Sequence, residues 1–303
     1  LKTKFSIILP ENFPSKTVRQ LLQDWLVPKK WQHFLRINQQ ILINHHYRSF
    51  HRLVTAGDLV TLDFSFLEAT NQHYLPSPGR LPLLYQDDNL IVINKPAGIK
   101  SHPNLANERG TVFNILTQQL ADPPLMVHRI DEQTSGALLV AKSAAVVPIL
   151  DRELSQKIMG RDYLAWVAPA RTTSLPDHGE IDLPIGRDPQ DQRKRQIDWT
   201  TGQPAQTQYQ VLNRDSERIL LKLHLLTGRT HQIRVHLAAL GLPILGDTLY
   251  NPNVKPAEHM LLHGYQLYFK QPFTEQPVTV QAPLPDYFPD AVSINSQLNK
   301  GTF

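Results

Sequence analysis

Strand-length apolar segments recur along this chain, but they do not alternate with helices in the strict order that a doubly wound parallel sheet requires. DLVTLDF places Val60, Leu62 and Phe64 at period two, and RDYLAWVA sets Tyr163, Ala165 and Val167 on one face against Leu164 and Trp166 on the other. DNLIVINK, GALLVAK and ILLKLHLL read as further strands. Helical spacing is confined to short pieces: TVFNILTQQL, residues 149–158 on Leu150, Leu154 and Ile158, and HQIRVHLAALG closed by Gly241. The predicted class is α+β, a mixed and mainly antiparallel sheet with flanking helices. At 303 residues the chain exceeds what one small core organises, so two domains are expected.

The smaller domain fits in residues 1–75. Ser15 is the expected N-cap of a helix carrying Val18, Leu21, Leu22, Trp25 and Leu26. Pro28 opens a second helix with Trp31, Phe34 and Leu35 at helical spacing, and ILIN follows as a short strand. Charge singles this segment out. The chain has 31 Lys and Arg against 27 Asp and Glu, and residues 1–75 hold 9 of the cations and 5 of the acids, so the whole +4 lies there. Lys16, Arg19, Lys29, Lys30, Arg36, Arg48 and Arg52, with His33, His45, His46 and His51, occupy its polar faces. A solvated basic face is the plain reading of such a cluster. Concentration of the excess charge in one small unit favours a phosphate-binding surface instead. ATNQHYLPSPGR, residues 69–80, reads as a linker with its end at 76–80; a larger domain over 81–292 and a non-periodic tail over 293–303 complete the expected organisation.

With no cysteine, the chain has no disulfide framework, thiol nucleophile or cysteine-held metal, which suits a reducing cytoplasm. No run approaches the roughly eighteen apolar residues of a membrane span. The opening LKTKFSIILPENFPSK reads as a strand stopped by Pro10 and Glu11, not as a secretory signal. Gly-rich dinucleotide fingerprints, phosphate loops and the G-x-S-x-G elbow do not occur. Among 13 histidines, His231 and His236 are five apart and lack the i, i+4 spacing of a metalloprotease helix, so no metal is expected.

Four segments carry the chemistry. NKPAG spans Asn94–Gly98, VHRIDEQTSGALLVAK spans Val127–Lys142, RDY spans Arg161–Tyr163, and LLTGRTHQIRVHLAALGLPILGD spans Leu225–Asp247. A carboxylate such as Asp131, in a polar turn between apolar segments, is by itself usually a turn former. These four segments together, in this order, are similar to the RluA-type pseudouridine synthases, including those that act on large-subunit ribosomal RNA. The likeness covers about residues 81–285. Residues 1–75, with the Gly57-Asp58 turn, resemble the alpha-L RNA-binding module of ribosomal proteins and RNA-modifying enzymes. Two departures stand out: Ile130 replaces a usual Leu, and Glu132 sits where a basic residue is common.

The resemblance implies an RNA uridine isomerase that needs neither cofactor nor metal. It gives Asp131 as the reacting carboxylate, leaving open whether Asp131 attacks the sugar, attacks the base or abstracts a proton. It gives Arg229 as the guanidinium that keeps Asp131 ionised and oriented, and Tyr163 as the ring that packs on the base and assists proton removal from carbon 5. Arg129, two residues before Asp131, is expected to fill the space left by a flipped nucleotide; a surface ion pair is the plainer reading. Asn94 and Lys95 are expected in a buried turn under the pocket, with His128, His231 and Gln232 as further support. The run Arg193-Lys194-Arg195 reads first as solvated surface and second as a phosphate contact. The expected partner is RNA, ribosomal RNA before transfer RNA, bound by a monomer. The alternative function is a non-catalytic RNA-binding or ribosome-assembly factor on the same fold.

Overall fold

The computed structural model describes residues 2–67, 74–120, 123–168, 175–253, 259–291 and 293–294. Its N-terminal part runs β1 (Lys4–Ile8), β2 (Lys16–Thr17), α1 (Val18–Asp24), α2 (Lys29–Ile37), β3 (Ile41–Ile43), β4 (His46–Tyr47), β5 (Leu53–Val54) and β6 (Leu59–Asp63). Four of these strands form an antiparallel sheet in the order β1-β6-β3-β4. The first helix starts two residues later than its spacing alone predicts. Lys16 and Thr17 still pair with Val54 and Leu53, so Thr17, not Ser15, is the N-cap. Thr17 Oγ1 accepts the Gln20 N–H at 3.2 Å and Gln20 Oε1 accepts the Thr17 N–H at 2.9 Å, a reciprocal capping box.

The remainder runs β7 (Leu83–Gln86), β8 (Leu90–Lys95), α3 (Val112–Gln119), β9 (Leu125–Met126), β10 (Ser135–Ala141), α4 (Val147–Ser155) and β11 (Gly160–Val167). It continues through β12 (His178–Asp182), β13 (Ile185–Arg187), β14 (Arg195–Ile197), β15 (Gln206–Arg214), β16 (Ile219–Leu225), α5 (Gln232–Ala239), β17 (Leu262–Lys270) and β18 (Pro277–Gln281). Ten strands make one sheet, ordered β12-β15-β16-β11-β17-β10-β8-β7, with β18 on β17 and β9 on β10. Every pairing in it is antiparallel except β10 with β17. That parallel seam is short, Ser135 and Gly136 against His263 and Gly264. Gly136 sits at φ +115°, and a Cβ there would collide with the Gly264 carbonyl, so the two backbones close only over glycine.

The class is the predicted one, α+β with a mainly antiparallel sheet. Strand β15 went unread although Thr207, Tyr209 and Val211 stand at strand period between the amides Gln206, Gln208 and Gln210. Strand β10 is buried along its whole length because both its faces are covered. Leu138 and Val140 meet Phe113 and Leu116 of α3, while Leu139 and Ala141 belong to a cluster on the other face. That second cluster is shared with the N-terminal part: Phe5, Leu22, Trp25 and Phe64 pack with Leu90, Val92 and Phe273. Phe273 is the common ring, 4.9 Å from Phe5, 5.7 Å from Trp25 and 6.0 Å from Phe64 between centroids. Arg152 Nη1 donates to the Leu26 and Val27 carbonyls at 3.0 Å each. The basic module is thus cemented to the large sheet. Residues 69–73 of the expected linker and the tail from 295 lie outside the described residues.

Candidate active site

A cleft of about 700 Å³ opens where β11, β16 and the start of α5 face the turn that precedes β10. Asp131 lies in that turn, half-buried, with its backbone carbonyl accepting from Thr134 N–H at 3.1 Å. The turn is fastened from beneath. Ser101 Oγ donates to the Ile130 carbonyl at 2.8 Å, and Gly98 N–H to the Glu132 carbonyl at 2.8 Å. Lys95 is fully buried and donates to the carbonyls of Pro96 (2.9 Å), Ile99 (2.7 Å) and Glu132 (3.0 Å). Burial pushes its pKa down to about 7 against the pull of the Asp131 and Glu132 carboxylates, while three carbonyl acceptors match the three N–H bonds of an ammonium. Asn94 donates its backbone N–H to the Pro82 carbonyl at 2.9 Å, and neither it nor Lys95 lines the cleft.

The guanidinium at Asp131 belongs to Arg234. Its Nη1 is 3.2 Å from Asp131 Oδ2, and its Nε and Nη2 are each 2.7 Å from Asp247, a bidentate pair. Arg234 is 5% exposed and Asp247 is 0% exposed. Burial works against the charge on Arg234, but the Asp247 and Asp131 carboxylates outweigh it and raise its pKa. Asp247 also accepts the N–H groups of Leu249 and Tyr250, at 2.9 and 3.2 Å.

Arg229 does not make the contact expected of it. It is exposed at the cleft rim, with Nε donating to the Pro204 carbonyl at 3.0 Å. The reason is the reversal between the two arginines. His231 takes a left-handed φ of 58° and starts α5, so the helix turns Arg234 inward while Arg229 remains on the preceding outer turn. Gln232 holds that turn: its Oε1 accepts from Thr227 Oγ1 (2.8 Å) and Arg229 N–H (3.0 Å), and its Nε2 donates to the Gln206 carbonyl and Thr207 Oγ1 at 2.9 Å. His231 stands 3.8 Å from Asp131 through Nε2 and 2.9 Å from the Tyr250 hydroxyl through Nδ1.

Tyr163 projects into the cleft from β11, beside a bulge between Asp162 and Tyr163 in the pairing with β17. Burial pushes its pKa up to about 12; Arg161 opposes the shift and Asp131 adds to it. His128 is buried, with Nε2 accepting the Leu139 N–H at 3.0 Å and Nδ1 without a partner. Burial, with Arg161 adding, pushes its pKa down to about 3, so it is a neutral support. Arg129 is exposed at the cleft mouth and forms no ion pair among the described residues.

Arg161 carries no role in the sequence reading, although it sits in the RDY segment. Strand alternation was the available signal, because residues two apart share a face and Arg161 must follow Tyr163 into the cleft. Its Nη2 donates to the Thr227 carbonyl at 3.2 Å, its Nε is buried without a partner, and no carboxylate pairs with it among the described residues. Burial lowers its pKa, with Tyr163 opposing. On the N-terminal part, Lys16 is tied to Asp24 at 2.6 Å and so is less free for phosphate than expected. Arg19, Lys29, Lys30, Arg36, Arg48 and Arg52 are exposed and form no ion pair among the described residues. Among the described residues no group of three or more His, Asp or Glu has the arrangement of a metal site.

The cleft therefore offers one carboxylate braced by a buried guanidinium, an aromatic ring, and three further arginines, Arg129, Arg161 and Arg229, that form no ion pair among the described residues. The family model for RNA pseudouridylate synthase matches residues 89–239, and that for the RluD ribosomal pseudouridine synthase N-terminal domain matches residues 5–60. An uncharacterized RNA pseudouridine synthase of Bacillus subtilis, YhcT, is 36% identical over 89% of this chain and 86% of its own length. The ribosomal large subunit pseudouridine synthase D of Vibrio parahaemolyticus is 32% identical over 94% of this chain and 87% of its own. That of Nitrosomonas europaea is 40% identical over 68% of this chain and 62% of its own. Among solved structures, human RNA pseudouridylate synthase domain containing 4 is similar with a TM-score of 0.57 and 25% identity, covering 70% of this chain and 92% of that one. This chain belongs to the RNA pseudouridine synthase family, isomerases that act on RNA.

Proposed function

We propose that the chain converts uridine to pseudouridine in structured large-subunit ribosomal RNA, with Asp131 as the reacting carboxylate. The supporting observation is the pairing of Asp131 with Arg234 beside Tyr163 on the wall of one cleft. The reaction breaks the bond between ribose C1′ and uracil N1, turns the base, and forms a bond from C1′ to C5; the C5 proton is lost and N1 takes one up, so the composition is unchanged. It is an isomerisation, so nothing is oxidised and no group leaves. A carboxylate acting at C1′ or on the base must be ionised in a site that excludes water, where desolvation alone favours the acid. Arg234 offsets that penalty, and Asp247 keeps Arg234 from swinging away.

Tyr163 serves as a flat face for uracil. With its pKa pushed up to about 12, it acts as a neutral phenol rather than as a phenolate base. A uridine stacked in RNA must leave the stack to reach Asp131, and Arg129 at the cleft mouth has the planar, hydrogen-bonding head that fits the gap. Arg161 faces the cleft with no counter-ion among the described residues, which suits a phosphate of the flipped nucleotide. Residues 1–75 supply the exposed cations that hold RNA, and residues 81–292 the chemistry. Ribosomal RNA as substrate rests on the names of the relatives and on the matching N-terminal model. The test is Asp131→Asn in full-length protein, assayed by tritium release from uridine-labelled RNA and by carbodiimide mapping of ribosomal RNA. Turnover is expected to fall to background with RNA affinity retained. Wild-type turnover in this variant would refute the assignment.

A further inference from the structure

Trp199 is 74% exposed, more than any other large hydrophobic side chain described. It stands on a turn whose backbone is closely tied. Asp198 Oδ1 accepts the Thr200 and Thr201 N–H groups at 2.9 Å each, its Oδ2 accepts from Thr201 Oγ1 at 2.6 Å, and its carbonyl accepts the Gly202 N–H at 3.1 Å. The turn follows the separate hairpin of β13 and β14, whose root is fixed to the cleft. Ile185 and Ala205 are buried against Val235 of α5, with Ile197 and Tyr250 alongside. Arg195 N–H donates to the Tyr250 hydroxyl at 2.8 Å, and that hydroxyl meets His231 at 2.9 Å. On the other side, the Pro204 carbonyl holds Arg229 at the rim.

This arm carries four cations, Arg187, Arg193, Lys194 and Arg195, against three carboxylates, all occupied. Asp191 binds Arg193 at 2.7 Å, while Asp188 and Asp198 accept backbone N–H groups of their own turns. Arg187, Lys194 and Arg195 form no ion pair among the described residues, and Arg195 Nη1 donates only to carbonyls. An indole open to water on the same arm as three cations that form no ion pair among the described residues is matched by a nucleotide, which presents a π face and a phosphate together. Flipping one uridine also leaves its neighbours without a stacking partner at this rim.

We propose that the β13–β14 arm is a nucleotide-stacking site, in which Trp199 receives an unpaired base of the substrate RNA near the target uridine and Arg187, Lys194 and Arg195 take adjoining phosphates. This rests on the RNA reading above. The preset turn lowers the backbone part of the ordering cost of the contact.

The experiment uses full-length protein and a large-subunit ribosomal RNA transcript. Trp25 and Trp166 are buried and Trp31 is half-buried, so acrylamide quenching of tryptophan emission reports mainly on Trp199. Saturating RNA is expected to protect that emission, and the protection should vanish in Trp199→Phe. Trp199→Ala is expected to weaken RNA binding and raise KM by about 5- to 100-fold, with single-turnover kcat kept. Quenching unchanged by saturating RNA, or a Trp199→Ala variant with wild-type KM, overturns the site. If such a variant still forms pseudouridine normally, the function stands and only the arm is wrong. Wild-type protein that protects Trp199 on RNA yet forms no pseudouridine keeps the site and overturns the function. Failure to bind the transcript at all overturns both.

Discussion

Arg234 binds Asp131 and Asp247 at once, at 3.2 Å through Nη1 and at 2.7 Å through Nε and Nη2. One fully buried carboxylate fixes the plane of the guanidinium, and what remains of its fork is aimed at the half-buried one. A lysine could not do this, because a single ammonium has no planar fork with which to bridge two carboxylates in fixed directions.

Removing Arg234 leaves two carboxylates without their cation, one of them fully enclosed. Arg234→Ala is expected to lose pseudouridine formation and about 3–5 kcal/mol of stability, with Arg234→Lys recovering stability in part and activity little. Arg229→Ala, an exposed change, should alter stability by no more than about 0.5 kcal/mol. Urea unfolding and tritium release on the three variants check the contrast. A disabling Arg229→Ala with a harmless Arg234→Ala would reverse the assignment.

Arg161 faces the cleft with no carboxylate partner among the described residues, so its charge is available to RNA. Arg161→Gln should reduce the slope of log affinity against log salt by about one, the signature of one lost phosphate contact. It should not destabilise the fold as Arg234→Ala does, because no buried anion is left behind. Filter binding across a salt series measures the slope, and an unchanged slope would remove Arg161 from the phosphate contacts.

Stability should depend on acid in a way that separates two kinds of buried group. Burial pushes His128 down to about 3 and His263 down to about 4, below the ordinary histidine value near 6.5. The unfolded chain therefore binds more protons than the folded one below pH 6.5, and stability falls as pH drops from 6.5 toward 4. Glu153 has the opposite sign. Burial pushes it up to about 7, against its bond from Lys270 N–H, so its folded form holds a proton that the unfolded form releases between pH 4.5 and 7. Glu153→Gln should therefore steepen the loss of stability between pH 6.5 and 4.5. Urea midpoints at several pH values test it, and a shallower profile in Glu153→Gln would contradict the sign.

The shared core changes what a truncation can report. Deleting residues 1–75 strips the cover from Leu90, Val92 and Phe273 and is expected to yield insoluble protein. Charge removal in the full chain is the better probe. Replacing Arg19, Lys29, Lys30, Arg36, Arg48 and Arg52 with Gln should flatten the salt dependence of RNA binding and spare single-turnover kcat. A soluble, active truncation would show that the two parts fold independently.

Much of this architecture is legible in local pattern. The strand at Gly160–Val167 and its two faces, the helix closed by Gly241, and the concentration of charge before residue 75 all follow from periodicity and composition. The four motif segments pointed to the family and to Asp131. In amide-rich β15 the period-two signal of Thr207, Tyr209 and Val211 is masked by the intervening glutamines, and pairing with β12 and β16 makes it evident. Equally hidden was the fusion of the basic module to the large sheet, since nothing in either segment names Phe273 as their common ring.

The two arginines show where local reading stops. TGRTHQIR offers Arg229 and Arg234 within six residues, and sequence spacing alone assigns neither to Asp131. The chain by itself determined that a guanidinium would stand near the carboxylate. Which one it is was decided by the left-handed turn at His231 and by Asp247, contributed from beyond the helix, which holds Arg234 in the interior. That choice is a property of packing, because an ion pair across 103 residues exists only after the sheet has brought its ends together.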